Sequence, residues 1–173
     1  KIRDNVSIGK HCKVGGEVSM SVIQDYSNKG HDGFLGHAVV GSWCNFGADT
    51  NVSNLKNNYS TIKLWDYASK QMKDSGLQFC GLIMGDHSKT GINTMLNTGT
   101  TVGVAVNVFG AAYPPKFLTS FTWGNDGLDT FRFEDACQMA ARMMERRTLK
   151  FSKKDKDILK HIFEHSQKLR DSH

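Results

Sequence analysis

The chain has 173 residues, a formal net charge of +5, 39% hydrophobic and 23% charged residues, the balance of a soluble globular protein with room for one ordinary core. No apolar run approaches the roughly 20 residues of a membrane span, and the opening KIRDNVSIGK lacks the apolar stretch of a signal peptide, so neither membrane nor secretion is expected. Ten Lys and Arg against five Asp and Glu lie between 141 and 173, but the two signs alternate there, which reads as solvated helix faces and not as a nucleic-acid surface.

From the first residues the chain steps by six. Ile2, Ile8, Val14, Met20 and Tyr26 form one run, Phe34, Val40, Phe46 and Val52 a second, and Met84, Thr90, Leu96, Val102 and Val108 a third. Thirteen of these fourteen positions are apolar or aromatic, where the hydrophobic fraction of the chain gives about five or six by chance. Glycine follows many of them (Gly9, Gly15, Gly41, Gly47, Gly85, Gly91, Gly103), and four residues on the side chain is usually small or β-branched. A period of six fits neither a helix nor a meander. It fits a short strand and a tight turn, repeated, with each hexad forming one face of a prism and three hexads a coil whose neighbours stack as parallel ladders about 4.8 Å apart. A flat β-sandwich with recurrent spacing is the weaker alternative, because the phase holds inside each run.

The breaks in the repeat come next. Two extra residues fall inside NKGHDGF, around His31, and residues 53–82 leave the repeat altogether; a loop that long is usually functional or packs on a neighbour. After Val108 the prolines of GAAYPPKF end the pairing, and Ser152 with Asp155 reads as a capping box opening a helix with Ile158, Leu159, Ile162, Phe163 and Leu169 on one face. The organisation expected is a mainly β chain: a β-helix over 1–110 with an excursion at 53–82, then an extended linker and two helices over 111–173 that pack on or cap the solenoid. Ile2 enters the first hexad at once, so an upstream coil or domain is expected. Four dispersed cysteines without a CxxC pair favour a reducing, cytoplasmic setting.

The stretch GHDGFLGHAVVGSWCNFGADTNVSNL, with IMGDHSKTGIN downstream, resembles the acetyltransferase half of the glucosamine-1-phosphate acetyltransferase/N-acetylglucosamine-1-phosphate uridylyltransferase family and of related two-domain sugar-1-phosphate nucleotidyltransferases. The pattern G-H-x-x-Y-x-G, then N-x-G-x-G-T and a downstream Asn, is met by Gly30–His31, Phe34, Gly36, Asn45 to Thr50 and Asn54, over about residues 1–110. The resemblance implies a left-handed parallel β-helix of hexapeptide repeats with a C-terminal helical extension, and an acyl-CoA-dependent N-acetyltransferase acting on an amino-sugar phosphate or nucleotide sugar. His31 would be the general base that takes a proton from the attacking amine, a task suited to imidazole near neutral pH. Asn45 and Asn54 would hydrogen-bond the sugar or the attacking nitrogen. Ala48, Asp49, Ile92 and Phe109 would line the path of acetyl-CoA. The chain would form a homotrimer with sites between subunits, and Mg2+ would enter only with an upstream nucleotidyltransferase domain.

Three departures keep a second reading open. Phe34 stands where the pattern has tyrosine, two phosphate-binding lysines are replaced near Ser19 and Ser60, with Lys29, Lys56 or Lys63 as substitutes, and GAGT has become GADT. The alternative is a non-catalytic β-helix tail that trimerises a nucleotidyltransferase or binds a regulatory sugar. His37 and His87 read as surface or interface residues, and no ligand spacing supports a metal site.

Overall fold

A computed structural model describes residues 1–124 and 129–171, and shows a parallel β-solenoid with helices at its C-terminal part. The first face is a parallel sheet of Ser7–Ile8, Val22–Ile23, Val39–Val40, Leu82–Met84, Thr100–Val102 and Phe117–Leu118. The second runs from Lys13–Val14 through Asn28–Lys29, single bridges at Asn45, Lys89–Thr90 and Asn107–Val108 to Thr122–Trp123. The third carries Ile2, Glu17–Ser19, Phe34–Gly36, Asn51–Val52 and Met95–Leu96. Such ladders place alternate side chains inside and outside the prism.

The inward residues form one column per face: Ile23, Val40, Met84, Val102 and Leu118 on the first, Phe46, Thr90 and Val108 on the second, Val18, Leu35, Val52 and Leu96 on the third. From Leu35 to Val108 this is close to the expected hexad phase. Ile2, Ile8 and Val14 keep it too, sharing rungs with the inward Val18, Ile23 and Lys29, but between Val14 and Leu35 it is lost. Met20 and Tyr26 lie on corners with positive φ, and Leu35, not Phe34, fills the interior. The cause is coil length. Ser7 pairs with Val22, fifteen residues on, whereas Ile83 pairs with Thr101 after a full eighteen, so a strict six-step count drifts off the inward positions in the short first coil.

Three corner columns join the faces. The first holds His11, Tyr26, Trp43, His87, Ala105 and Phe121, all with left-handed φ. Beneath it, small polar side chains satisfy the buried backbone: the Ser27 hydroxyl donates to the Gly41 carbonyl (2.7 Å) and accepts from the Cys44 amide (2.9 Å), and Ser88 repeats the pattern with Gly103 and Val106. This explains the small residue four places after each inward one. The second corner carries Gly16, Gly33, Asp49, Asn93 and Gly110, and the third Asn5, Met20, His37 and Gly99.

The excursion is an antiparallel hairpin, Lys63–Asp66 with Gln71–Asp74, held on the solenoid by Trp65, whose ring stacks on Phe117 at 3.9 Å. The ladders continue past residue 110: Phe117–Leu118 and Thr122–Trp123 add further strands to two faces. Helices α1 (Phe133–Glu145), α2 (Lys153–His165) and α3 (Gln167–Arg170) follow. The capping box is present, Ser152 accepting from the Asp155 amide. Ala136, Cys137, Ala140 and Leu159 close a second core over Ala105 and Phe121, where the first corner turns apolar. Ile158, expected on the packed face, is exposed, because α2 presents Leu159, Ile162 and Phe163 instead. Arg170 fixes the end of the helical part, donating to the carbonyls of Ser120 (3.2 Å) and Phe163 (2.8 Å) with its guanidinium over the Phe163 ring.

Candidate active site

His31 sits on the second corner. The paired rungs Val14–Glu17 and Lys29–Phe34 show that this corner, Gly30–Gly33, is two residues longer than the corner beneath it. Gly33 closes it at φ +115°, where an added Cβ would collide with the Thr50 carbonyl, so no other residue closes the turn without strain. The His31 side chain is exposed, and no described side chain hydrogen-bonds its imidazole.

The corner is clamped from inside by Lys29. This lysine occupies an inward position, with 1% of its surface exposed, where neighbouring coils place apolar side chains. Its ammonium donates to the carbonyls of His31, Asp32 (3.0 Å) and Gly15 (3.4 Å). Burial pushes its pKa down, opposed by the carboxylates of Asp32 and Asp49. Lys29 therefore spends its protons on the backbone of the His31 turn and presents no charge outward.

Above His31 the same corner brings together the other residues expected along the acyl-donor path. The Asp49 amide donates to the Asp32 carbonyl (3.0 Å) and the Asn93 amide to the Ala48 carbonyl (2.9 Å), and Gly91 lies against Phe109. Ile92 and Phe109 are 72% and 41% exposed on this edge, an apolar strip in which only the Phe109 ring has an aromatic neighbour among the described residues, the edge-on Trp123 ring at 5.2 Å.

Asn54 and Phe34 lie elsewhere, toward the third corner. The Asn54 amide nitrogen is 2.9 Å from Nδ1 of His37, and the Phe34 ring covers Gly36 beside that amide. His37 also stacks on Phe79 at 5.1 Å. Burial lowers its pKa, and an amide nitrogen at Nδ1 calls for that ring nitrogen to accept. His37, expected as a surface or interface residue, is half-buried at the third corner. Asn45 projects from the second face, bridging Asn28 and Lys89. Lys56 is engaged within the excursion, donating to Ser60 Oγ (3.2 Å) and to the Thr61 carbonyl. One chain thus separates the expected groups over two corners and a face.

Among the described residues no group of three His, Cys, Asp or Glu side chains is placed to hold a metal, no helix is long and apolar enough to cross a membrane, and all four cysteines are free. No protein-family model matches the chain. It is 35% identical over 105 residues to the bifunctional protein GlmU of Clostridium beijerinckii, covering 58% of this chain and 18% of that protein. It is 33% identical over 87 residues to the protein of the same name from Methanocaldococcus jannaschii, covering 50% and 21%. It is 31% identical over 96 residues to the bifunctional sugar-1-phosphate nucleotidylyltransferase/acetyltransferase of Sulfurisphaera tokodaii, covering 56% and 23%. The matches span about a fifth of the length of these curated relatives. In sequence, over half its length or more, this parallel β-solenoid is similar to the bifunctional sugar-1-phosphate nucleotidylyltransferase/acetyltransferases.

Proposed function

We propose that the chain is an acyltransferase domain that moves an acetyl group from acetyl-CoA to the amine of an amino-sugar phosphate or nucleotide sugar. One observation carries this reading: His31 stands exposed on a clamped, two-residue-longer corner, continuous with the edge formed by Ala48, Asp49, Ile92 and Phe109. The apolar strip of Ile92 and Phe109 suits the pantetheine arm of the donor. His31 takes a proton as the amine nitrogen attacks the thioester carbon; the C–N bond forms, the C–S bond breaks, and the proton returns to the departing sulfur. Backbone amides at the corner are suited to stabilise the oxyanion.

Asn54 and Phe34 complete the acceptor pocket from a second copy. Val22, Val39 and Ile83 form an exposed apolar ladder on the first face, which supports self-association as a trimer with shared sites. Lys56 serves the acceptor phosphate only after leaving its present partners, and Mg2+ belongs to a nucleotidyltransferase domain, not to this one. Free cysteines fit a cytoplasmic protein.

A second reading rests on specific observations: Lys29 is turned inward and Phe34 lacks a hydroxyl, as a trimerising or sugar-sensing tail without catalysis would allow. Thiol release from acetyl-CoA, measured against a panel of amino-sugar phosphates with His31→Ala as control, separates the two. Release only in the wild-type chain supports transfer; none on any acceptor supports the tail.

A further inference from the structure

Along the second face the outward positions Lys13, Asn28, Asn45 and Lys89 are consecutive rungs of one ladder. The C-terminal end of α1 lies against this face and brings Arg146 and Arg147 to it, leaving a groove of about 410 Å³. The lining has four cations and two amides and no carboxylate. None of the four cations is in an ion pair among the described residues. Among the described residues, the Arg147 guanidinium donates to the Asn28 amide oxygen, at 3.4 Å, and the Lys89 ammonium to the His87 carbonyl, at 3.3 Å. Removing water from an ammonium without supplying a counter-charge is unfavourable, and gathering three more cations around it adds to the cost. Burial correspondingly lowers the Lys89 pKa to about 8.

We propose that this groove is an anion site for a small phosphate-bearing ligand, gripped by Lys89, Arg146 and Arg147 over the Asn28 and Asn45 amides. Phosphate offers the acceptors that paired guanidinium groups and side-chain amides lack here. Successive rungs are about 4.8 Å apart, so Asn45 and Lys89 can serve adjoining phosphoryl groups of a diphosphate. The wall of the groove formed by Tyr26 and Trp43 argues against recognition of a base. Their rings stack on each other at 4.1 Å, and His11 and His87 cover the outer faces, so only ring edges meet the groove. The groove opens on the second face toward the first corner, where Tyr26 and Trp43 lie, whereas His31 stands on the second corner that bounds the same face, and binding there does not require acyl transfer.

The test is calorimetric titration of the whole chain with inorganic pyrophosphate at 0.15 M salt, followed in parallel by tryptophan fluorescence. We expect saturable uptake of one equivalent, similar uptake of uridine diphosphate, and none of uridine. Lys89→Met and the pair Arg146→Gln/Arg147→Gln each weaken uptake by roughly tenfold or more, the scale of a lost charged hydrogen bond, while Lys150→Gln in the exposed loop between α1 and α2 changes nothing. The arginine pair sits on the surface of a helix end, so it carries the test if Lys89→Met fails to fold. No saturable uptake, equal uptake by the arginine variant, or tighter binding of a single-stranded RNA than of pyrophosphate overturns the proposal.

Discussion

Asn54 hydrogen-bonds His37, not His31: its amide nitrogen lies 2.9 Å from the His37 Nδ1 on the third corner, while His31 occupies the second. Within one chain the proposed base and the asparagine proposed for the acceptor are therefore on different edges of the prism, as the proposed site shared between copies would have them. Asn54→Ala is expected to cost about 1 kcal/mol of stability through the lost hydrogen bond. Chemical denaturation measures that cost. His31→Ala, on an exposed corner, is expected to leave the midpoint nearly unchanged.

Lys29 is expected to act on the shape of the His31 turn and not on ligand charge. In Lys29→Met the carbonyls of His31 and Asp32 lose their common donor, and the corner loosens by about 1–2 kcal/mol. Amide exchange at Asp49 and Glu17, whose amides donate to the Asp32 and Gly33 carbonyls of this turn, should quicken while exchange at Leu96, deep in the ladders, holds. Unchanged protection at Asp49 and Glu17 would contradict the clamp.

His87 sets an acid limit. Burial, aided by the nearby Lys89 charge, lowers its pKa to about 4, against an ordinary 6.5, with Asp155 opposing. Above pH 6.5 the ring is neutral in both folded and unfolded chains. Between 6.5 and 4 only the unfolded chain takes the proton, so stability is lost as pH falls through that window, by up to about 3 kcal/mol. His87→Asn, which tolerates the left-handed φ of +61°, should flatten that part of the stability-versus-pH curve relative to wild type. Equal slopes in the two chains count against this assignment.

The inward columns predict an uneven mutational map. Leu35→Ala removes a fully buried side chain and is expected to destabilise by about 2–5 kcal/mol. Met20→Ala, on an exposed corner, should cost less than about 1 kcal/mol. A strict six-step phase would make Met20 the costlier of the two, so thermal melts of both variants decide the register.

Much of the fold was legible because one period dominates: from Leu35 onward each face consumes close to six residues, and Phe46, Val52, Met84, Leu96, Val102 and Val108 turn inward as the spacing implies. The first coil was misread at Met20 and Tyr26 because its corners are shorter, and corner length depends on backbone torsions that side-chain hydrophobicity does not report. Lys29 stands in the sequence as a substitute for a replaced phosphate-binding lysine, and a lysine is rarely fully buried; the three carbonyls around its ammonium reveal its internal role. The pairing of Asn54 with His37, and the groove that Arg146 and Arg147 line together with Lys89, join residues from separate coils or from helix and sheet, juxtapositions that periodicity within one strand cannot carry.

The most direct test of acyl transfer is the rate of thiol release from acetyl-CoA by the whole chain, with amino-sugar phosphates as acceptors, in wild type and His31→Ala. Loss of a general base typically lowers the rate by about 10²–10⁴. We predict acceptor-dependent release in wild type and a fall of that size in His31→Ala, with the fold intact by circular dichroism. Release that is absent on every acceptor, or equal in the two chains, contradicts the account.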